Sequence, residues 1–492
     1  MSLIQISNLT FAYDGSYDTI FENISLQIDT NWKLGFVGRN GRGKTTFLNL
    51  LLGKLAYQGS ISHTASFDYF PFPVADTSLD TMVVIEQICY DYELWKLQRE
   101  LSLLEVSEDA LYRPFKTLSG GEQVKVLLAA LFLKQNNFLL IDEPTNHLDT
   151  KAREIVSRYL RSKSSFILVS HDREFLDQCV DHILAINKTN IELQSGNFSS
   201  WWQNKLAQDD FELAEHAKLQ KEIKKLSAAA KRTSLWSDKV EKSKNQRTSA
   251  GLRPDRGFVS HKAAKMMKRS KSLEKRQEST LSEKSKLLKN IESAEDLKIH
   301  PLSYHSHQLA NFRNLSLFYG EKQVCDNINF TIDNGDRIAI CGANGSGKST
   351  LLHFIAQNSI ACKGEKHLGK DLKISFVSQD TSFLQGSLRE FTDDYLLDES
   401  LFKAILRKLD FSREQFDKNI SHFSSGQKKK LLIAKSLCEQ AHLYVWDEPL
   451  NYIDIFSRIQ IQNLILEYKP TILFVEHDSA FIKETATKTV NL

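Results

Sequence analysis

The 492-residue chain has only six cysteines, and no two of them form a Cys-x-x-Cys pair. Cys89, Cys179, Cys325, Cys341, Cys362 and Cys438 are too scattered for a disulfide framework or a zinc module, a pattern that fits a reducing cytoplasm. No stretch approaches the roughly 18 uninterrupted apolar residues that a membrane-crossing helix requires. The N-terminal Met-Ser-Leu-Ile-Gln-Ile carries neither a basic leader nor a small-residue cleavage pattern, so no secretory signal is expected. Net charge is also small: 64 Lys and Arg against 61 Asp and Glu leave +3.

That small net charge is a cancellation. Residues 218–290 hold 22 Lys and Arg against 7 Asp and Glu, a net of +15, and the remainder carries −12. Charge segregated in this way marks a footprint for a polyanion; the alternative is a merely solvated, charged helical segment.

The dominant positive feature is a repeat. Gly38-Arg39-Asn40-Gly41-Arg42-Gly43-Lys44-Thr45 and Gly342-Ala343-Asn344-Gly345-Ser346-Gly347-Lys348-Ser349 both fit G-x-x-x-x-G-K-[ST], a loop whose backbone N–H groups cradle phosphates at a helix N-terminus. Each is followed, in the same order, by a Ser-x-Gly turn, an apolar run ending Asp-Glu, and a lone His. The offsets barely drift: 304 from Lys44 to Lys348, 305 from Ser119 to Ser424, 306 from His171 to His477. Two ATPase domains acting together are expected. Lys44 and Lys348 suit the β/γ-phosphates, and Thr46 and Thr350 follow each loop into its helix. Thr45 with Asp142, and Ser349 with Asp447, suit a Mg²⁺ shell. Glu143 and Glu448 stand where they could polarise an attacking water.

Apolar strands at 4–6, 25–28, 34–37, 139–141 and 166–169 alternate with helical stretches, and the second half repeats them at 330–332 and 337–341. This predicts a wound α/β core. From 201 to 297 strand signals vanish. Leu206, Leu213, Leu219, Ile223 and Leu226 fall at helical spacings, as do Leu273, Leu281, Leu288 and Ile291, and a Gly/Pro-containing tip separates the two sets near 245–260. The expected domains are 1–200, a helical hairpin linker at 201–300, and 301–492. In the tip, Leu252, Phe258 and Val259 either press on a partner or fold the tip on itself.

Leu118-Ser119-Gly120-Gly121-Glu122-Gln123 resembles the signature of ABC-type ATPases, and Asp142-Glu143-Pro144-Thr145-Asn146-His147-Leu148-Asp149 resembles their Walker B and D-loop. The resemblance implies tandem ABC domains paired head to tail. His171 and His477 would be switch histidines, Tyr13 and Tyr319 adenine-stacking aromatics, and Gln379 a Q-loop ligand near the metal. Site one would join the 38–45 loop, Asp142, Glu143 and His171 with Ser424, Ser425, Gly426 and Gln427. Site two would join the 342–349 loop, Asp447, Glu448 and His477 with Ser119, Gly120, Gly121 and Glu122. Three departures fall on site one: Phe72 where a glutamine belongs, Ser425 for a glycine, and Lys428 for a glutamine. Slower hydrolysis at site one is expected.

Tandem domains, no membrane segment and a basic hairpin together resemble the ABC-F family. Asn31-Trp32-Lys33-Leu34-Gly35, Arg113-Pro114-Phe115, Met267-Lys268-Arg269-Ser270-Lys271 and Trp446-Asp447-Glu448-Pro449-Leu450-Asn451-Tyr452 are similar to its Lsa-type antibiotic-resistance branch. That resemblance implies a cytoplasmic, monomeric ATP hydrolase that uses ATP and Mg²⁺ on the bacterial ribosome. Its hairpin would enter the E site and touch P-site tRNA and 23S rRNA, releasing lincosamides, pleuromutilins or streptogramin A; DNA is not an expected partner. A housekeeping ABC-F translation factor is the alternative, and several of those insert an arm in the first domain. Here Phe72 to Ser119 spans 47 positions and Gln379 to Ser424 spans 45, which leaves no room for one. The ATPase of a membrane exporter is a further alternative, with no evident use for the hairpin.

Overall fold

The computed structural model describes residues 3–13, 19–134, 137–146, 148–187, 190–242, 297–320, 322–357 and 360–492, with scattered positions between 257 and 276. The chain forms two compact units, one of residues 1–199 with 294–492, the other of residues 200–293.

In the first unit each half is built on a wound sheet. The first sheet runs in the order Ser66–Phe70, Asn137–Asp142, Phe166–Val169, Lys33–Val37, His182–Ile186, Ile191–Ser195. All but the last strand are parallel. The second sheet runs Ile374–Val377, Leu443–Asp447, Ile472–Val475, Arg337–Cys341, Lys488–Asn491, all parallel. Parallel strands are covered on both faces and so read as unbroken apolar runs. Phe166–Val169 and Ile472–Val475 are accordingly buried at every position. Beside each wound sheet lies a three-stranded antiparallel sheet, Thr19–Asp29, Leu3–Ala12, Gln58–Ser62 in one half and Lys322–Asp333, Gln308–Tyr319, Ala361–Leu368 in the other. Both halves add a helical layer. It includes Thr81–Ile88, Leu94–Leu103 and Gly120–Phe132 in the first, and Leu388–Asp394, Glu399–Lys408 and Ser425–Cys438 in the second.

Asp142 pairs with Val169, and Asp447 with Val475, at the carboxyl ends of their strands. The phosphate loops leave Lys33–Val37 and Arg337–Cys341 at the same edge, where wound α/β sheets bind ligands.

The second unit is helical where it is described. Phe198–Lys242 is a single helix of 45 residues, about 68 Å long at 1.5 Å per residue. Gly257 and Ser260, assigned from sequence to the tip, are helical. The rest of 245–260, with Leu252, Phe258 and Val259, lies outside the described residues, as do Leu273, Leu281, Leu288 and Ile291. Among the described residues no helix is long and apolar enough to cross a membrane. All six cysteines are free.

Candidate active site

Each phosphate loop closes around its own lysine. Lys44 Nζ donates to Gly38 O at 2.7 Å and Arg39 O at 3.2 Å; Lys348 Nζ donates to Gly342 O at 2.9 Å and Ala343 O at 2.8 Å. Both ammonium groups are buried, and burial lowers both pKa values. A Cβ at Gly43 would meet Ile20 Cγ2 at 2.6 Å, and one at Gly347 would strike Cys325 Sγ, so these turns (φ 90° and 96°) admit only glycine. At Gly41 and Gly345 nothing lies within 4 Å, which leaves an open cradle.

Behind the loops stand the strand-end carboxylates. Asp142 Oδ2 accepts from Thr45 Oγ1 at 3.2 Å and from the Tyr69 hydroxyl at 2.9 Å. Asp447 is fully buried and neither carboxylate oxygen has a well-formed hydrogen-bond partner, although Ser349 lies close enough to favour its ionised form. A buried acceptor pair with no donor fits a cation. Among the described residues no three His, Cys, Asp or Glu side chains cluster as metal ligands. A site built for Mg²⁺ and phosphates needs only one hydroxyl and one carboxylate.

Glu143 and Glu448 follow in the left-handed region (φ 50° and 45°), a cost that recurs at functional sites. Their surroundings differ. Burial, then the charge of Asp142, pushes the Glu143 carboxyl up to about 8; its Oε1 lies 3.3 Å from His171 Nε2. Burial also acts on Glu448, but His477, 3.5 Å away, the charge of Lys429 and Gln379 together outweigh it and hold the pKa below the usual value. Gln379 Nε2 donates to Glu448 Oε2 at 2.8 Å, and Asn451 Nδ2 donates to the same oxygen at 2.5 Å. Burial, then Lys44, drives the His171 pKa well below 6.5.

The two halves meet at both loops. Asn40 Nδ2 donates to Tyr452 O at 2.8 Å, Asn40 Oδ1 lies 3.1 Å from His171 Nε2, and Gly426 is buried so closely that a Cβ there would meet Asn40 Nδ2 at 3.1 Å. Arg39 and Arg42 reach Asp410 of the second half at 3.9 and 3.8 Å. The other loop borders a cavity of about 470 Å³. Gly120, Asn146 and Leu148 line it from one half, and Asn344, Lys348, Ser349, Thr350, Gln379, Glu448 and His477 from the other. An adjoining cavity is lined by Ser119, Gly121 and Glu122, again with Asn344. Ser119 and Ser424 cap their helices, in boxes closed by Glu122 and Gln427. Ser425 is exposed. Tyr13 and Tyr319 are about half exposed, and the Tyr13 hydroxyl lies 2.9 Å from Thr46 Oγ1. His147 is outside the described residues.

Sequence reading missed several residues here: Tyr69 on Asp142, Asp410 against the loop arginines, Arg153, and Lys429. The available signal was the comparison of halves, since Tyr69 stands where the second half has Phe376, and Lys429 where the first has Val124.

The ABC transporter family profile matches residues 21–146 and 325–451. The ribosome protection protein VmlR of Bacillus subtilis is 29% identical over 98% of this chain and 85% of its own length. ABC transporter F family member 2 of Arabidopsis thaliana is 27% identical over 99% of the chain and 76% of its own length. Among solved structures, the archaeal ribosome recycling factor aABCE1, in complex with the stalk protein aP1, superposes with a TM-score of 0.63 at 19% identity. That alignment covers 98% of this chain and 87% of the other. With the ABC domain matched twice and F-family proteins aligned along nearly its whole length, the chain belongs to the ABC-F family and is an ATP hydrolase.

Proposed function

We propose that the protein is a ribosome-bound ATPase that protects the ribosome against drugs of the peptidyl-transferase centre. The observation that carries this is the +15 charge of residues 218–290, which include the greater part of the 45-residue helix, in a chain whose remainder is acidic. Such a segment binds phosphate backbones without reading sequence. The full-length similarity to a ribosome protection protein supports it. The segment would enter the E site of a bacterial ribosome in the cytoplasm, reach P-site tRNA and 23S rRNA, and favour release of lincosamides, pleuromutilins or streptogramin A.

In this reading ATP bridges the two halves. Lys44 and Lys348 neutralise the β/γ-phosphates, and loop N–H groups from Asn40 to Thr46 and from Asn344 to Thr350 surround them. Tyr13 and Tyr319 stack on adenine. Ser424, Ser425, Gly426 and Gln427 complete site one; Ser119, Gly120, Gly121 and Glu122 complete site two. Thr45 and Asp142, and Ser349, Gln379 and Asp447, would hold Mg²⁺, which when bound neutralises phosphate charge. Glu143 and Glu448 orient the attacking water, and His171 and His477 report the γ-phosphate. ATP closes the halves and hydrolysis reopens them. Site one, with Phe72 in place of glutamine, turns over more slowly.

A housekeeping ABC-F role is the second reading, favoured by relatives of similar identity such as ATP-binding protein Uup of Buchnera aphidicola, 26% identical over 99% of this chain. Cell-free bacterial translation inhibited by a lincosamide separates the two. The proposal expects added protein to restore synthesis in the presence of ATP. If synthesis stays inhibited with drug, while drug-free translation responds to the protein, the housekeeping role is correct.

A further inference from the structure

The two signature helices differ at a position that is buried in the second. Val124 in the first is matched by Lys429 in the second, with the same 305-residue offset as Ser119 and Ser424. Lys429 is 2% exposed, and its Nζ donates to two backbone carbonyls, Ser378 O at 2.9 Å and Asp447 O at 3.2 Å. Ser378 immediately precedes Gln379, and Asp447 immediately precedes Glu448. One ammonium therefore holds the backbone just before each of the two side chains whose amide and carboxylate meet at 2.8 Å.

Such a tie joins Ser378, just past the end of its strand, to the strand end at Asp447. The ladder between Ile374–Val377 and Leu443–Asp447 runs from Ile374 opposite Leu443 to Val377 opposite Trp446. Ser378 and Asp447 are the first residues beyond that ladder, and Asp447 is still paired with Val475 on its other side. Two charge-assisted bonds from one buried donor fix the spacing there. The first half has no equivalent. Valine donates nothing, and Phe70-Pro71-Phe72 replaces Val377-Ser378-Gln379, so there is no amide to position. Lysine and glutamine are present together in one half and absent together from the other.

We infer that Lys429 is a positioning residue for ATP hydrolysis at site two, setting the Gln379–Glu448 contact from behind without touching nucleotide. The inference rests on the proposed reading of Glu448 as the residue that orients water.

The test uses the full-length chain carrying Glu143→Gln, so that the turnover measured belongs to site two. Lys429→Met is expected to lower kcat at least tenfold while KM for ATP changes less than threefold, because the phosphate loop is untouched. In a Gln379→Ala background the same substitution is expected to cost less than threefold, because the group it positions is gone. A structural role alone would make the two losses multiply. Multiplying losses, an unchanged kcat, or a rise in KM matching the fall in kcat/KM would each overturn the inference. Lys429→Arg, which keeps a donor, is expected to recover much of kcat; should the Met variant fail to fold by circular dichroism, Lys429→Leu, which also lacks a donor, takes its place in the cycle. Glu448→Gln in the same background tests the underlying reading separately. If it leaves turnover intact, the role of Glu448 is wrong; if it abolishes turnover while Lys429→Met does not, only the positioning role fails.

Discussion

Arg153 Nη1 donates to the backbone carbonyl of His477 at 2.9 Å while the same nitrogen pairs with Asp172 Oδ2, also at 2.9 Å. Arg153 follows Asp149 by four residues and Asp172 follows His171, so one guanidinium joins both segments of the first half to the backbone at His477 of the second. The pair is mostly buried, at 12% and 7% exposure, and removing one partner leaves a buried charge alone. Arg153→Met is expected to destabilise the protein by about 3 kcal/mol and to lower Tm in differential scanning fluorimetry. Adding Asp172→Asn should recover part of the loss. Additive losses would mean that the pair is not coupled.

Lys430 and Asp454 make a second test of buried charge. Their 2.7 Å pair is almost solvent-free, and Lys430 Nζ also donates to Leu409 O at 2.8 Å. Burial would raise the Asp454 pKa, but Lys430 overrides it and holds the carboxyl far below the usual range. Lys430→Met is expected to cost about 3–5 kcal/mol, read as a fall in the urea midpoint. A shift below about 1 kcal/mol, the size of an exposed pair, would show that water reaches Asp454.

Glu476 gives a pH dependence with a definite sign. Burial pushes its carboxyl up to about 6, although Leu450 N donates to it at 2.7 Å. Below the unfolded value of about 4.3 both states hold the proton and the residue costs nothing. As pH rises the unfolded state ionises first, and above 6 the penalty is complete, about 2 kcal/mol. Glu476→Gln, which mimics the protonated form, should match the parent near pH 4 and exceed its Tm above pH 6.5. An equal difference at every pH would remove ionisation as the cause.

Phosphate release by single-site variants measures the proposed asymmetry. Glu448→Gln is expected to remove most turnover, at least tenfold, and Glu143→Gln to spare more than half. The opposite ranking would place the faster site on the loop at 38–45.

The wound sheets were legible because burial on both faces leaves unbroken apolar runs, as at 166–169. The antiparallel strands were legible only in part: 25–28 and 330–332 fall within Thr19–Asp29 and Lys322–Asp333. Only 4–6 was read of Leu3–Ala12, whose register shifts between Ile6 and Leu9, with Asn8 at φ 52°, so the alternation breaks. Gln58–Ser62 is exposed at four of five positions and leaves no apolar trace. At the site, motif spacing singled out the carboxylates and loop lysines that the fold brings together, because phosphate chemistry constrains such motifs locally. Lys429, Arg153 and Asp410 escaped, because a charged residue reads as solvent-facing until partners distant in sequence bury or pair it. Phe72 was read only as a missing glutamine; that nearby Tyr69 bonds to Asp142 became visible only with the fold.

Sedimentation with bacterial ribosomes tests the central claim most directly, using the Glu143→Gln/Glu448→Gln protein with and without ATP. The proposed role predicts ATP-dependent pelleting that weakens with salt and is lost when residues 218–290 are deleted. Absence of ribosome association under every nucleotide condition would contradict it.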